Sequence, residues 1–265
     1  MDFRALNGVV LHVEDLGPVD RPALVFANSL GTDFRIWDDV VARLIEQFRI
    51  VLYDKRGHGL SESGDSPYSI DDHVADLAAL LDELAIEKAI VCGLSVGGLI
   101  AQGLYAARPE LVSGLILCDT AHRIGTPEAW AERMAAIEKG GIASIADAIL
   151  ERWFSKALRE GDPVALAGWR AMLTRTPQEG YLGTCAAIRD ADFTEQAKKI
   201  AVPTLCVVGA EDGATPPELM RQTADLIPGA GYEIIEGAGH LPCIEQPEKT
   251  AALIADFLRS TAPGA

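Results

Sequence analysis

The stretch Ala89-Ile90-Val91-Cys92-Gly93-Leu94-Ser95-Val96-Gly97-Gly98-Leu99-Ile100-Ala101 reads as a buried strand, a Gly-x-Ser-x-Gly turn and the start of an apolar helix. A strand that turns this sharply into a helix lifts the serine hydroxyl above the carboxyl edge of a sheet, in a strained backbone conformation. Gly93 and Gly97 are required because a side chain at either would run into neighbouring backbone. The turn also aims the Val96 amide at a reacting carbonyl, beside the positive end of the helix. Ser95 is therefore the candidate nucleophile. A lone Gly-x-Ser-x-Gly is a weak signal, and the flanking strand and helix give this one its weight.

Outward from the turn, strand-like and helix-like runs alternate. Residues 8–13, 23–27, 49–53 and 114–118 read as strands, and the spacing predicts helices over 37–48, 70–84 and 99–107. Ser69 is a suitable N-cap for the second of these, with acids in its first turn. From about 121 to 199 the chain shows helical pieces and no convincing strand. Strands at 204–208 and 232–235 and helices at 217–226 and 247–258 then resume the rhythm, and residues 261–265 read as a loose tail. Such alternation argues for an α/β fold with a mostly parallel sheet covered on both faces. The expected organisation is a core of 1–120 and 200–265, with a helical cap of 121–199 inserted after the sixth strand.

The 265 residues suit one large domain or a core with an insertion, and a hydrophobic fraction of 49% supplies a substantial interior. Asp plus Glu number 39 against 23 Lys plus Arg, a formal net charge of -16. That balance argues against nucleic-acid binding, which needs a basic surface. It leaves an anionic small molecule open, because a few local arginines can outweigh a distant field. Cys92, Cys118 and Cys206 sit in apolar runs and read as reduced core residues; Cys185 and Cys243 complete the set. No cysteine or histidine spacing suggests a metal, and no cofactor is implied. The N-terminus opens no signal peptide and no apolar run is long enough to span a membrane, so a cytoplasmic location is expected, with room left for a homo-oligomer.

A serine needs a base to attack at neutral pH, and the base needs an orienting acid. In a fold of this kind the chain order is serine, acid, histidine. Only His122 and His240 follow Ser95. His240, in a loop after the last strand, is expected at the same sheet edge as Ser95, whereas His122 opens the cap. The acid belongs in a loop at a neighbouring strand end, and Asp212 fits, with Glu211 beside it. Asp119, after the strand at 114–118, is a rival for the role. A second oxyanion donor is expected from the loop Asn28-Ser29-Leu30-Gly31-Thr32, with the Leu30 amide paired to that of Val96. The run Asp54-Lys55-Arg56-Gly57-His58-Gly59 lacks the Gly-Lys-Ser/Thr of a phosphate loop and reads as a structural turn, with Arg56 bonding nearby carbonyls or carboxylates. His12, His58 and His73 read as structural or exposed.

With these residues in place, the chain resembles the α/β-hydrolase superfamily over essentially its whole length. More narrowly it resembles the 3-oxoadipate enol-lactonases. The narrower likeness rests on Phe26-Ala27-Asn28-Ser29-Leu30-Gly31-Thr32-Asp33, Tyr53-Asp54-Lys55-Arg56-Gly57-His58-Gly59, Cys92-Gly93-Leu94-Ser95-Val96-Gly97-Gly98, and two cap segments, 123–130 and 185–192. Val96 departs from the methionine usual in that family and makes a smaller, stiffer wall; Leu241-Pro242-Cys243 departs from its more polar residues. The resemblance implies an eight-stranded sheet, no cofactor, and hydrolysis of a small carboxylated enol-lactone through an acyl-enzyme on Ser95. The substrate carboxylate would want an arginine. Arg123 is favoured among Arg35, Arg123, Arg133, Arg152, Arg170, Arg175 and Arg189, and Trp130, Trp153 and Trp169 are candidate pocket walls that also suit helix packing. A broad carboxylesterase, a carbon–carbon bond hydrolase, a cofactor-free haloperoxidase-like enzyme and a non-catalytic receptor are the competing readings.

Overall fold

The computed structural model describes residues 1–261; beyond Thr261 the expected C-terminal tail lies outside the described residues. The strands are β1 (Asp2–Leu6), β2 (Val9–Leu16), β3 (Ala23–Ala27), β4 (Arg49–Tyr53), β5 (Ala89–Leu94), β6 (Val112–Cys118), β7 (Thr204–Gly209) and β8 (Gly231–Ile235). They form one sheet in the order β1-β2-β4-β3-β5-β6-β7-β8. The β1/β2 and β2/β4 pairs are antiparallel, and the pairs from β4/β3 to β7/β8 are parallel. β3, β5 and β7 are buried at every residue, the pattern of strands covered on both faces.

Helices α1 (Asp38–Leu44), α2 (Ile70–Glu83) and α3 (Val96–Ala107) lie in the first half. Between β6 and β7 come α4 (Pro127–Gly140), α5 (Ala146–Trp153), α6 (Lys156–Gly161), α7 (Pro163–Arg175), α8 (Gln178–Asp190) and α9 (Thr194–Ala197). Then follow α10 (Pro217–Leu226), α11 (Pro242–Glu245) and α12 (Pro247–Thr261). Ser69 caps α2 as its sequence predicts: Ser69 Oγ accepts from the Asp72 amide, and Asp72 Oδ2 accepts from the Ser69 amide at 2.7 Å. Such a reciprocal box contributes about 1 kcal/mol.

Two elements differ from the sequence reading. The first antiparallel hairpin has an extra strand, β1, whose residues are largely exposed and so carry little hydrophobic pattern. The helix expected over 37–48 is shorter, because the Gln47 and Phe48 amides both turn back onto Leu44 O before the chain enters β4.

Parallel pairing brings the carboxyl ends of β3, β5, β6, β7 and β8 to one rim. The loops that leave this rim carry Leu30, Ser95, Asp119, Asp212 and His240.

Candidate active site

Ser95 is the N-cap of α3 and adopts φ 58°, ψ -118°. A left-handed conformation of this kind is disfavoured for a side chain bearing Cβ, and such strain concentrates where geometry matters to function. Neighbouring backbone enforces the turn: a Cβ on Gly93 would overlap the Gly97 carbonyl, and one on Gly97 would overlap the carbonyl of Ala27 at the end of β3. The Ser95 amide donates to Cys118 O at 3.0 Å, and Thr120 Oγ1 donates to Ser95 O at 2.6 Å. The serine is thus tied to the end of β6, and only 8% of its surface is exposed.

His240 follows β8. Its amide donates to Trp153 O at 2.8 Å, and its Nδ1 lies 2.9 Å from Asp212 Oδ2. Asp212 follows β7 and accepts from several donors. The Ala214 and Thr215 amides donate to Oδ1 at 2.7 and 3.0 Å, and Thr215 Oγ1 donates to Oδ2 at 2.7 Å. Burial works to raise the Asp212 carboxyl, but the His240 imidazole and the Thr215 donors outweigh it and hold the group below its usual range. An ionised Asp212 then fixes His240 with Nδ1 as donor, which leaves Nε2 free to accept a proton. Glu211 points elsewhere, accepting from the Lys156 amide at 3.2 Å.

The structure therefore brings Asp212 and His240 into contact and sets Ser95 on the same rim. Among the described residues no hydrogen bond joins Ser95 Oγ to His240. Unliganded sites commonly close that contact only with substrate present. The Leu30 and Val96 amides have no hydrogen-bond partner among the described residues. Val96 opens α3 and Leu30 lies in a turn closed by Thr32 N donating to Ser29 O at 3.4 Å. Two unsatisfied amide donors, one next to Ser95 in the chain and one on a loop leaving the same rim, are of the kind that an oxyanion requires.

Asp119 is fully buried near this pair, with one oxygen within 4.8 Å of Asp212 and His240 ligand atoms. An Asp/Asp/His group is of a type that ligates metals, but Asp212 Oδ2 and His240 Nδ1 are already committed to each other. His122 is turned away, with its amide and Nδ1 both on Thr223 Oγ1.

The substrate-binding candidates are dispersed. Arg123 is about half exposed, 3.9 Å from Asp192. Trp130 is buried, its indole N–H donating to Ile124 O at 2.7 Å. Trp153 is buried, with its ring against Gly31 and its carbonyl holding His240. Trp169 lines a groove of about 990 Å³ between α7 and residues 33–38, together with His12, Phe34 and Met172; Ser95, Asp212 and His240 do not line it. Arg133 behaves differently from Arg123. Its guanidinium stacks 5.1 Å from the Trp130 ring centre and 5.8 Å from that of Tyr181, and no described carboxylate pairs with it. Tyr181 is fully buried, packs against Gly31 and has an unpartnered hydroxyl.

The Asp54–Gly59 run is a structural turn: Arg56 forms a buried fork to Asp76 at 2.7 and 2.6 Å. Sequence reasoning missed Lys55, which is buried and donates to Ser29 O at 2.5 Å beneath the Leu30 turn. It also missed Thr215, for which an Asp followed three residues later by Thr is a local signal of side-chain capping. His12, His58 and His73 are all buried within the frame.

A sequence profile of the alpha/beta hydrolase family matches residues 11–253. Two 3-oxoadipate enol-lactonases of Acinetobacter baylyi are similar in sequence. One is 37% identical over 258 residues, spanning 96% of this chain and 95% of the relative. The other is 35% identical over 247 residues, spanning 93% and 92%. The crystal structure of the enol-lactonase from Burkholderia xenovorans LB400 superposes with a TM-score of 0.94 at 39% identity, covering 97% of this chain and all of that one. The sheet order, the strained serine turn and these near full-length matches agree, and the chain belongs to the alpha/beta hydrolase family.

Proposed function

We propose that the chain is a serine hydrolase that opens a small carboxylated enol-lactone, 3-oxoadipate enol-lactone, to 3-oxoadipate. The observation that carries this reading is the likeness to three enol-lactonases across almost the whole of each chain. Ser95, His240 and Asp212 are the proposed nucleophile, base and orienting acid, and the Leu30 and Val96 amides the oxyanion donors. Helices α4–α9 are read as a cap over this rim; the support is their position between β6 and β7 and the bond from His240 N to Trp153 O.

Ser95 Oγ attacks the ring carbonyl while His240 Nε2 takes its proton, and the oxyanion is held by the two amides. Collapse breaks the ring C–O bond. The departing enolate oxygen takes the proton from the His240 imidazolium, and the enol tautomerises to a ketone. An enolate is a better leaving group than an alkoxide, so ring opening demands little of the acid. Water then loses a proton to His240, its oxygen bonds to the acyl carbon, and the proton returns to Ser95 Oγ as the acid is released. The substrate carboxylate needs a cation, and Arg133 suits it better than Arg123, since Arg123 has Asp192 beside it whereas Arg133 stands on two aromatic faces without a carboxylate. The reading extends to a cytoplasmic enzyme, supported by five buried free thiols.

The test is turnover of the enol-lactone against a panel of simple esters and vinylogous diketones, with Ser95→Ala as control. The lactone should be preferred and Ser95→Ala should lose about 10⁵-fold or more in kcat with an unchanged circular-dichroism spectrum. Preference for an ester or diketone would overturn the substrate, and near wild-type turnover by Ser95→Ala would overturn the mechanism.

A further inference from the structure

Asp119, directly after β6, has an arrangement that the proposed mechanism leaves unused. Its backbone takes φ 43°, and its amide donates to Val207 O at 2.8 Å. Its side chain is fully buried. Oδ1 accepts from the Gly209 amide at 2.8 Å, whereas Oδ2 meets no donor among the described residues. One oxygen of Asp119, one of Asp212 and a ring nitrogen of His240 lie within 4.8 Å of one another. The titratable groups facing Asp119 are Asp212 after β7, His240 after β8, the Cys118 thiol on its own strand and the Cys243 thiol on α11.

Two carboxylates at that range in a dry interior cannot both stay ionised; one keeps a proton. Asp212 has His240 and the Thr215 donors to stabilise its charge. Asp119 has one amide, and burial, then the Asp212 charge, push its carboxyl well above the usual range. The unpartnered Oδ2 is explained at once if it carries the hydrogen, because an O–H turned toward Asp212 finds an acceptor.

We propose that Asp119 is a neutral carboxylic acid whose Oδ2–H donates to the Asp212 carboxylate, which makes it a positioning residue for the Asp212–His240 pair. The protonation stands on the buried pairing of Asp119 with Asp212 and the unpartnered Oδ2, independently of catalysis; its kinetic consequence rests on the proposed Ser95–His240–Asp212 mechanism. The O–H gives Asp212 a further donor beside His240, so that Oδ2 of Asp212 stays aimed at Nδ1 as the imidazolium forms.

Infrared difference spectra of wild type against Asp119→Asn at neutral pH read the proton directly. A protonated-carboxyl carbonyl band, shifted in D₂O, is expected in the wild type and absent from the variant; no such band overturns the proposal. Kinetics supply the second readout. Asn replaces a neutral donor by a neutral donor, so the acid limb of kcat/KM should stay within about 0.3 pH unit of wild type. Asp119→Leu, which removes the donor, should have a kcat at least tenfold below that of Asp119→Asn, with KM common to both. An acid limb that falls by about a unit or more in Asp119→Asn means that a negative charge was lost, and overturns the proposal. Equal kcat in the Asn and Leu variants overturns the positioning role. The band does not depend on catalysis, so a failed mechanism would leave it in place while Asp212→Asn kept high activity.

Discussion

Asp212→Asn isolates what the buried carboxylate contributes. In the structure Oδ2 lies 2.9 Å from His240 Nδ1, and an ion pair at that distance with an effective dielectric constant of about 20 attracts by about 6 kcal/mol. The imidazolium exists only once Ser95 has given up its proton, so this stabilisation belongs to the transition state and its loss lowers kcat by about 10⁴-fold. An asparagine can also present its amide to Nδ1 and favour the wrong tautomer, an effect of the same size in comparable triads. Asp119 complicates the result in a testable way. With the Asp212 charge removed, the second carboxyl can ionise at higher pH, and at no more than 4.8 Å from a ring nitrogen it attracts the imidazolium by at least about 3.5 kcal/mol. The residual activity of Asp212→Asn should therefore climb by roughly 300-fold or more as pH rises, while Asp212→Asn/Asp119→Asn stays flat near the full 10⁴-fold loss. The assay is kcat against pH for wild type, both single variants and the double variant on one lactone or ester. A loss below tenfold for Asp212→Asn, or a larger loss for Asp119→Asn than for Asp212→Asn, would refute the assignment of the acid.

Three further outcomes follow from particular contacts. Gly97→Ala forces a methyl into the Ala27 carbonyl at the turn, and should cost about 2 kcal/mol, a fall of about 4–8 °C in the thermal midpoint, with a disproportionate drop in kcat. Arg133→Met removes a charge-assisted partner for the substrate carboxylate and should raise KM for the carboxylated lactone by about 10- to 100-fold, with at least a fivefold smaller change for an uncharged ester; equal changes would refute the role. Burial pulls Lys55 down to about 7, so between that pH and its usual 10.5 the unfolded chain binds the extra proton. The penalty is full below pH 7 and lifts as pH rises. Denaturant unfolding should accordingly show wild type gaining on Lys55→Met by about 1 kcal/mol per pH unit above pH 7, and a flat difference would show that Lys55 keeps an ordinary affinity for its proton.

The readable parts of this chain are those where steric demand is local. Gly93 and Gly97 announce the turn because no other residue leaves room for the Gly97 and Ala27 carbonyls, and the apolar runs of β3, β5 and β7 announce strands buried on both faces. β1 was illegible because its exposed residues carry no pattern. Chain order and strand ends pointed to His240 and favoured Asp212 over Asp119; both carboxylates follow a strand at the same rim, and among the described residues it is Asp212 that bonds His240, at 2.9 Å. Lys55 gave no sign of burial, since a lysine in a glycine-rich turn ordinarily points to water; its partner, Ser29 O, lies 26 residues away in the chain. Arg133 could be named as one of several arginines between β6 and β7, but what distinguishes it is the lack of a carboxylate partner among the described residues and its place over the Trp130 and Tyr181 rings.

The bonds around residues 152–156 change how the helical excursion relates to the chemistry. Trp153 O accepts from His240 N at 2.8 Å, and Arg152 O accepts from Gly213 N at 3.2 Å, next to Asp212. Glu211 accepts from the Lys156 amide at 3.2 Å, and Glu245 accepts from Gly239 N at 2.7 Å as well as from Ser155. The loops that carry Asp212 and His240 are thus tied by several bonds to the junction between α5 and α6. A lid that swung away as one body would have to break these bonds and release His240 from its place. If His240 is the base, as proposed, any opening that admits substrate must leave this junction seated, so residues 152–156 would belong to the frame of the site although they lie among the helices between β6 and β7, and motion would be left to the helices that do not touch those loops.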